Sequence, residues 1–189
     1  YLAGSTRPDI AFAVHQLARF SADPRTEHHA GIQRLARYLQ QTKNEGMHLN
    51  PKKGDSLTLD LWVDADYAGL WGSENPDDPM CTRSRSGILI TLANSPVVWQ
   101  SKLQTETALS TMESEYIALS TGMKSLIFLR RIYKDISLGF KFHNMTFKES
   151  SFVSIIFEDN QACLKLATAT DPPRLTPRSK SIAVKYHWF

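Results

Sequence analysis

Asp64 and Asp66 stand two residues apart at the end of an apolar run, Leu57-Thr58-Leu59-Asp60-Leu61-Trp62-Val63-Asp64-Ala65-Asp66-Tyr67-Ala68-Gly69. Strand side chains alternate, so Leu57, Leu59, Leu61 and Val63 share one face while Asp60, Trp62, Asp64 and Asp66 share the other. Paired carboxylates in such a place suit a hard divalent cation, which offsets the cost of taking them out of water. Turn aspartates left in solvent are the competing explanation. Glu115, in Ser110-Thr111-Met112-Glu113-Ser114-Glu115-Tyr116, falls on or beside a helix face defined by Met112, Tyr116, Leu119, Met123 and Leu126. A carboxylate turned toward a core requires a partner, unless it bends out to water. Its neighbour Glu113 has a separate structural task, completing a capping box with Ser110. Asp159 follows the apolar run 152–157 and precedes a short helix. In sheets with crossover helices, ligands gather beyond the carboxyl ends of strands, although Asp159 or Asn160 could equally cap the helix. Three such acids, from a first strand, a long helix and a later strand, can converge on one or two magnesium ions. The ions would activate water and stabilise a leaving oxygen without a histidine or serine nucleophile.

These residues need elements to hold them. Ser5-Thr6-Arg7-Pro8 offers a helix start, and Ile10, Ala13, Val14, Leu17 and Phe20 recur at helical spacing. After a turn at Asp23-Pro24, a second helix over 27–41 places Ile32, Leu35, Ala36 and Leu39 on one face. This hairpin reads as packing material or a clamp facing nucleic acid. Turn formers and charge in Asn50-Pro51-Lys52-Lys53-Gly54-Asp55 mark a domain boundary, giving a helical unit 1–53 and a second domain 54–189. Beyond it the chain turns to strands: 57–66, a polar loop over 70–85, then 86–92, a turn at Asn94-Ser95-Pro96, and 97–100. A long helix over 111–135 follows, then a strand 152–157 whose continuous apolar character suits burial on both faces, then a helix over 161–169. The fold class is a mixed α/β sheet: three antiparallel strands, a helix, a parallel strand and a helix, behind a helical hairpin.

Composition excludes several classes. At 189 residues, with 42% hydrophobic and 22% charged content, the chain suits one or two globular domains. No window approaches the roughly 18 consecutive apolar residues of a membrane span, and no signal sequence is visible, so an intracellular location is expected. Cys81 and Cys163 lie far apart and read as free thiols in a reducing compartment. A start at Tyr1 reads as a piece of a longer translation product. The net charge of +3 is uneven: residues 1–53 hold eight Lys and Arg against four acids, residues 54–159 are acidic on balance, and the remainder is basic. Basic flanks around an acidic centre suit a polyanion held over a metal site, as well as an ordinary solvated surface.

Several stretches, in this order, resemble one family. They are Thr6-Arg7-Pro8-Asp9-Ile10, Ala36-Arg37-Tyr38-Leu39, Val63-Asp64-Ala65-Asp66-Tyr67-Ala68-Gly69, Ser84-Arg85-Ser86-Gly87, Trp99-Gln100-Ser101-Lys102, the run from Ala108 through Ser120, Glu158-Asp159-Asn160-Gln161-Ala162, and Lys185-Tyr186-His187. Together they resemble the end of the reverse transcriptase and the ribonuclease H domain in the Pol polyprotein of copia-type LTR retrotransposons. The resemblance covers nearly the whole chain. It implies a ribonuclease H-like fold, with Asp64, Glu115 and Asp159 as catalytic metal ligands and Asp66 as an accessory at most. Two magnesium ions, or manganese in their place, would be the cofactors. The substrate would be an RNA:DNA hybrid whose RNA strand is hydrolysed during reverse transcription, and the partner the upstream reverse transcriptase domain of the same polyprotein, inside a cytoplasmic virus-like particle. Recognition would sense 2′-hydroxyls and hybrid shape more than sequence. Ser101, Lys102 and Gln104 are candidate contacts by their place near a strand end. Two departures bear on activity. Ser181 and Ala183 replace a His and an Asp common in the family, and the family's final strand and helix, with an Ala-Asp pair as the source of a fourth carboxylate, would lie beyond Phe189. An inactive, truncated remnant that keeps the fold and binds nucleic acid is therefore the alternative. An integrase-like nuclease is a third class, against which the run 110–116 argues.

Overall fold

The computed structural model describes residues 1–49, 58–74, 77–139 and 153–169, together with Lys180, Lys185, Tyr186 and Trp188. The N-terminal part is helical, with α1 (Leu2–Ser5), a 3-10 turn at Pro8–Ile10, α2 (Ala11–Ala18) and α3 (Thr26–Gln41). Pro8 stands at the first position of its turn, where its fixed φ and missing N–H carry no penalty. The buried stripe of α3 differs from the expected one: His28, Gly31, Leu35 and Leu39 are half-buried, whereas Ile32 is 53% exposed and Ala36 faces solvent. The reason is the partner. Gly31 lies against Leu17 of α2, which turns α3 toward its smallest side chain.

Four strands make one sheet: β1 (Leu59–Asp66), β2 (Arg85–Leu92), β3 (Ser95–Leu103) and β4 (Ile156–Phe157), in the spatial order β3-β2-β1-β4. β1, β2 and β3 form an antiparallel meander, and β4 joins β1 in parallel. The tight turn between β2 and β3 sits at Ala93-Asn94, one residue before the expected place. Both residues have positive φ, 47° and 62°, the backbone of a two-residue hairpin that matches strand twist. β3 consequently starts at Ser95 and continues to Leu103, absorbing Pro96 at an irregularity opposite Ile90 and Thr91.

α4 (Thr111–Gly139) lies across β1 and β2 and closes the core. Leu59, Leu61, Val63, Ile88 and Ile90 from the sheet pack with Tyr116, Leu119 and Leu126 from α4, and Cys163 from α5 (Gln161–Ala167) completes the cluster. Burying each large aliphatic side chain contributes about 1.5–3 kcal/mol. Close approach depends on Gly122, where a Cβ would stand only 2.8 Å from Val63 Cγ1 and 3.0 Å from Leu61 Cδ1. Glu115 precedes Gly122 by two turns and so shares its face.

β4 corrects one expectation. In place of a strand buried on both faces, it is the sheet edge among the described residues, with Ile155, Ile156 and Phe157 each more than a third exposed. Among the described residues its apolar run is covered by β1, where Phe157 stacks on Trp62 with ring centroids 3.7 Å apart.

The architecture is a mixed α/β fold of the ribonuclease H-like kind. The N-terminal helices are tied to it by named bonds. Trp99 Nε1 donates to the Ala3 carbonyl at 2.6 Å, Arg19 pairs with Glu74, and the buried Arg85 guanidinium lies over the Phe12 ring beside His15 and Gln16. The expected boundary at residues 50–55 lies outside the described residues, as do Ser181 and Ala183. No helix among the described residues is long and apolar enough to cross a membrane.

Candidate metal centre

The register of the parallel pair positions the first two acids. β1 and β4 pair at Leu61–Ile156 and Trp62–Phe157, a constant offset that, carried two steps on, sets Asp64 opposite Asp159. Both are exposed: Asp64 lies in β1, paired with Gly87 of β2, and Asp159 stands two residues beyond the end of β4. Glu115 reaches the same end from the first turns of α4. One carboxylate oxygen from each of Asp64, Glu115 and Asp159 lies within 4.8 Å of the others, so the structure brings together all three residues singled out in the sequence. Asp66 stays outside this group; its carboxylate packs over Gly69, and its register partner is Arg85.

Glu115 is the unusual member. It is only 7% exposed, and its Oε2 atom is buried without a hydrogen-bond partner. A rim glutamate bent out to water is excluded by that burial. Burial pushes its carboxyl up to about 8, helped by the charges of Glu158, Asp64 and Asp159 and opposed by a hydrogen bond from the Ala65 backbone. A buried acid with an orphan oxygen facing two exposed aspartates is a donor set for a hard cation: oxygen ligands only, negative charge in excess, and an open side toward solvent. The residues present fit magnesium.

The neighbours of these acids have other tasks. Ser110 Oγ accepts from the Glu113 amide at 3.2 Å, and Glu113 Oε2 accepts from the Leu109 amide at 2.6 Å. Glu113 thus closes the start of α4, bonding one residue before the expected cap. Asn160, not Asp159, caps α5, its Oδ1 accepting from the amides of Ala162 and Cys163 at 3.0 Å each. That leaves Asp159 for the cluster. Asn160→Ala is expected to destabilise the protein by about 1 kcal/mol, as loss of a cap does. A fall in Tm of about 2–4 °C in a thermal melt would show it; an unchanged Tm would assign the cap elsewhere.

Gln104 leaves the set of expected hybrid contacts. It is 5% exposed, and its amide donates to Ser86 Oγ at 2.9 Å and to the Ser114 carbonyl at 2.8 Å, joining β2 to α4. Lys102 is exposed and Ser101 half-buried on β3. Ser101 lines a cleft of about 440 Å³ that also includes Asp64, Trp62, Phe157, Gly87, Gln100 and Phe12. Glu158 was absent from the expected site. The available signal was its place directly after an apolar run and beside Asp159, where a second carboxylate adds to the same charge cluster.

Across all of its length the chain is 32% identical, over 188 residues, to a "Retrovirus-related Pol polyprotein from transposon TNT 1-94" of Nicotiana tabacum, of which it covers 12%. It is 31% identical, again along its whole length, to a "Retrovirus-related Pol polyprotein from transposon RE1" of Arabidopsis thaliana, covering 11% of that protein. Over 129 residues, 68% of the chain, it is 38% identical to a "Secreted RxLR effector protein 161" of Plasmopara viticola, of which it covers 84%. No family model matches the chain, and no solved structure matches it significantly. The chain thus spans a small share of the Pol polyproteins and most of the effector protein. Along its whole length the chain is thus a homologue of one segment of the plant-transposon Pol polyproteins, and over about two thirds of it a homologue of most of the effector protein.

Proposed function

We propose that this chain carries a ribonuclease H activity, hydrolysing the RNA strand of an RNA:DNA hybrid in the service of reverse transcription. The observation that carries the reading is the convergence of Asp64, Glu115 and Asp159 within 4.8 Å, with one buried, unpartnered carboxylate oxygen among them. Kinship with Pol polyproteins supports a retroelement setting, in which a hybrid would be the substrate and the upstream polymerase segment a partner.

In this reading Asp64, Glu115 and Asp159 hold magnesium, which when bound supplies Lewis acidity at the scissile phosphate and a hydroxide at neutral pH. The protein's own part is positional. β1 and α4 fix Asp64 and Glu115 on elements anchored by the core, so little reorganisation is needed when the ion binds. Asp159 closes the third side on a turn held by the Asn160 cap. Exposure of the two aspartates leaves the outer side of the site open to a phosphodiester. The exposed Lys102 offers charge to a hybrid's backbone, and phosphate contacts of this kind give salt-dependent affinity without reading sequence.

The test is release of labelled RNA from an RNA:DNA hybrid by a polypeptide that carries this chain with whatever its reading frame encodes beyond it. Cleavage of the hybrid's RNA strand in magnesium, abolished by EDTA and absent on duplex DNA, is expected. Cleavage that persists in EDTA, or none in magnesium or manganese, would overturn the reading.

A further inference from the structure

Glu158 is the residue of this site that the three-acid description leaves out. It follows β4 directly, one residue past the last observed pair, Trp62–Phe157, and stands beside the core face of β1 that α4 covers. The chain leaves β4 after Phe157, and Glu158 lies close enough to Glu115 for its charge to be the leading one acting on that carboxyl. Burial agrees: Glu158 is half-buried where Asp159 is exposed. Its two oxygens are used unequally. Oε1 accepts from the Asn160 amide at 3.0 Å, which fixes the carboxylate, while Oε2 is buried and has no hydrogen-bond partner. Glu115, more than nine-tenths buried, presents a second orphan oxygen to the same acids. Two carboxylates with unsatisfied oxygens, held on the inner side of the strand ends, lack a positive charge or a set of donors, and both are what a hydrated divalent cation brings.

Resting on the metal-site reading above, we propose that Glu158 is a fourth carboxylate of the site. It acts as a positioning residue, through its charge and a hydrogen bond to water coordinated on the ion, outside the direct ligand set. It lies outside the group of three whose ligand oxygens are within 4.8 Å of one another, which gives it a supporting place. A ligand's supporting partners commonly contribute 10–100-fold to metal affinity.

The experiment is calorimetric titration of magnesium chloride into the wild-type chain, Glu158→Gln and Glu158→Asp, with metal-free melting in EDTA for each. Glutamine keeps an oxygen to accept from the Asn160 amide, while it removes the charge and puts an NH2 donor in place of the second oxygen. The expected result is magnesium binding about 10-fold weaker in Glu158→Gln, with an unchanged or higher metal-free melting temperature, since a like charge has gone from an acidic cluster. Glu158→Asp, which keeps the charge, is expected to bind closer to wild type than the glutamine variant does. Equal affinity in wild type and Glu158→Gln would overturn this inference alone. So would a loss of affinity in both variants that tracks a fall in metal-free melting, because that is a structural role. If the wild-type chain itself binds no magnesium, the metal-site reading falls and this inference with it.

Discussion

Asp64→Asn is expected to remove hydrolysis of the hybrid, by more than the roughly 10–100-fold that loss of a group merely supporting a ligand produces. Asp64 is the acid that β1 contributes to the three-residue donor set, the others coming from α4 and from the turn before α5. Asp66, two residues on, is engaged over Gly69 and stands outside the group. Asparagine keeps the size and one oxygen but loses the charge, which separates coordination from packing. Because Asp64 is exposed and pushes on two like charges, the variant's metal-free melting temperature is expected to hold or rise. The measurement is the initial rate of RNA-strand cleavage at saturating magnesium, beside a melt in EDTA. Activity within a few-fold of wild type would remove Asp64 from the site. By the same reasoning Asp66→Asn should leave most of the activity.

The second large effect is on stability and involves no substrate. In the metal-free protein the Glu115 carboxyl sits at about 8, against an ordinary 4.5, chiefly because it is buried. The folded state therefore binds this proton more tightly than the unfolded chain does. The stabilising contribution is fully present below about pH 4.5 and is lost as pH rises toward 8, at roughly 1.4 kcal/mol per pH unit within that window. Urea unfolding in EDTA at pH 5, 6, 7 and 8 should thus show stability falling by several kcal/mol. Glu115→Gln, neutral throughout, should flatten most of that fall. Glu158, also raised by burial, leaves a residual slope. Magnesium should restore stability at pH 8 by binding the folded state. Parallel curves for wild type and Glu115→Gln would show that Glu115 is already solvated or paired.

Most of the fold was readable from local pattern. Alternation in 59–66, the two-residue hairpin and the apolar face of α4 all follow from side-chain periodicity, and the observed elements differ from them by a few residues. The failures share a cause. Ile32 and Ala36 looked as apolar as Leu35 and Leu39, and only the contact of Gly31 with Leu17 decides which way α3 turns. The run 152–157 looked like a central strand because its composition is central, but hydropathy reports what a strand would bury, not what stands beside it. Gln104 looked like a contact because it follows a strand, and a buried double hydrogen bond to Ser86 and Ser114 claims it.

By itself the sequence determined which residues carry charge, which stretches form helix and strand, and that Asp64, Glu115 and Asp159 stand at element ends or on a core-facing stripe. Those properties are set by a residue and its near neighbours along the chain. Only the tertiary structure decided that the three carboxylates meet, that Asn160 rather than Asp159 caps α5, and that Glu158 faces inward beside Glu115. The meeting of the carboxylates depends on the parallel register between β1 and β4, which joins residues some ninety-five positions apart. It depends also on the closeness with which Gly122 lets α4 approach the sheet. Side-chain identity along the chain encodes neither distance, because both are solutions to packing the whole core at once.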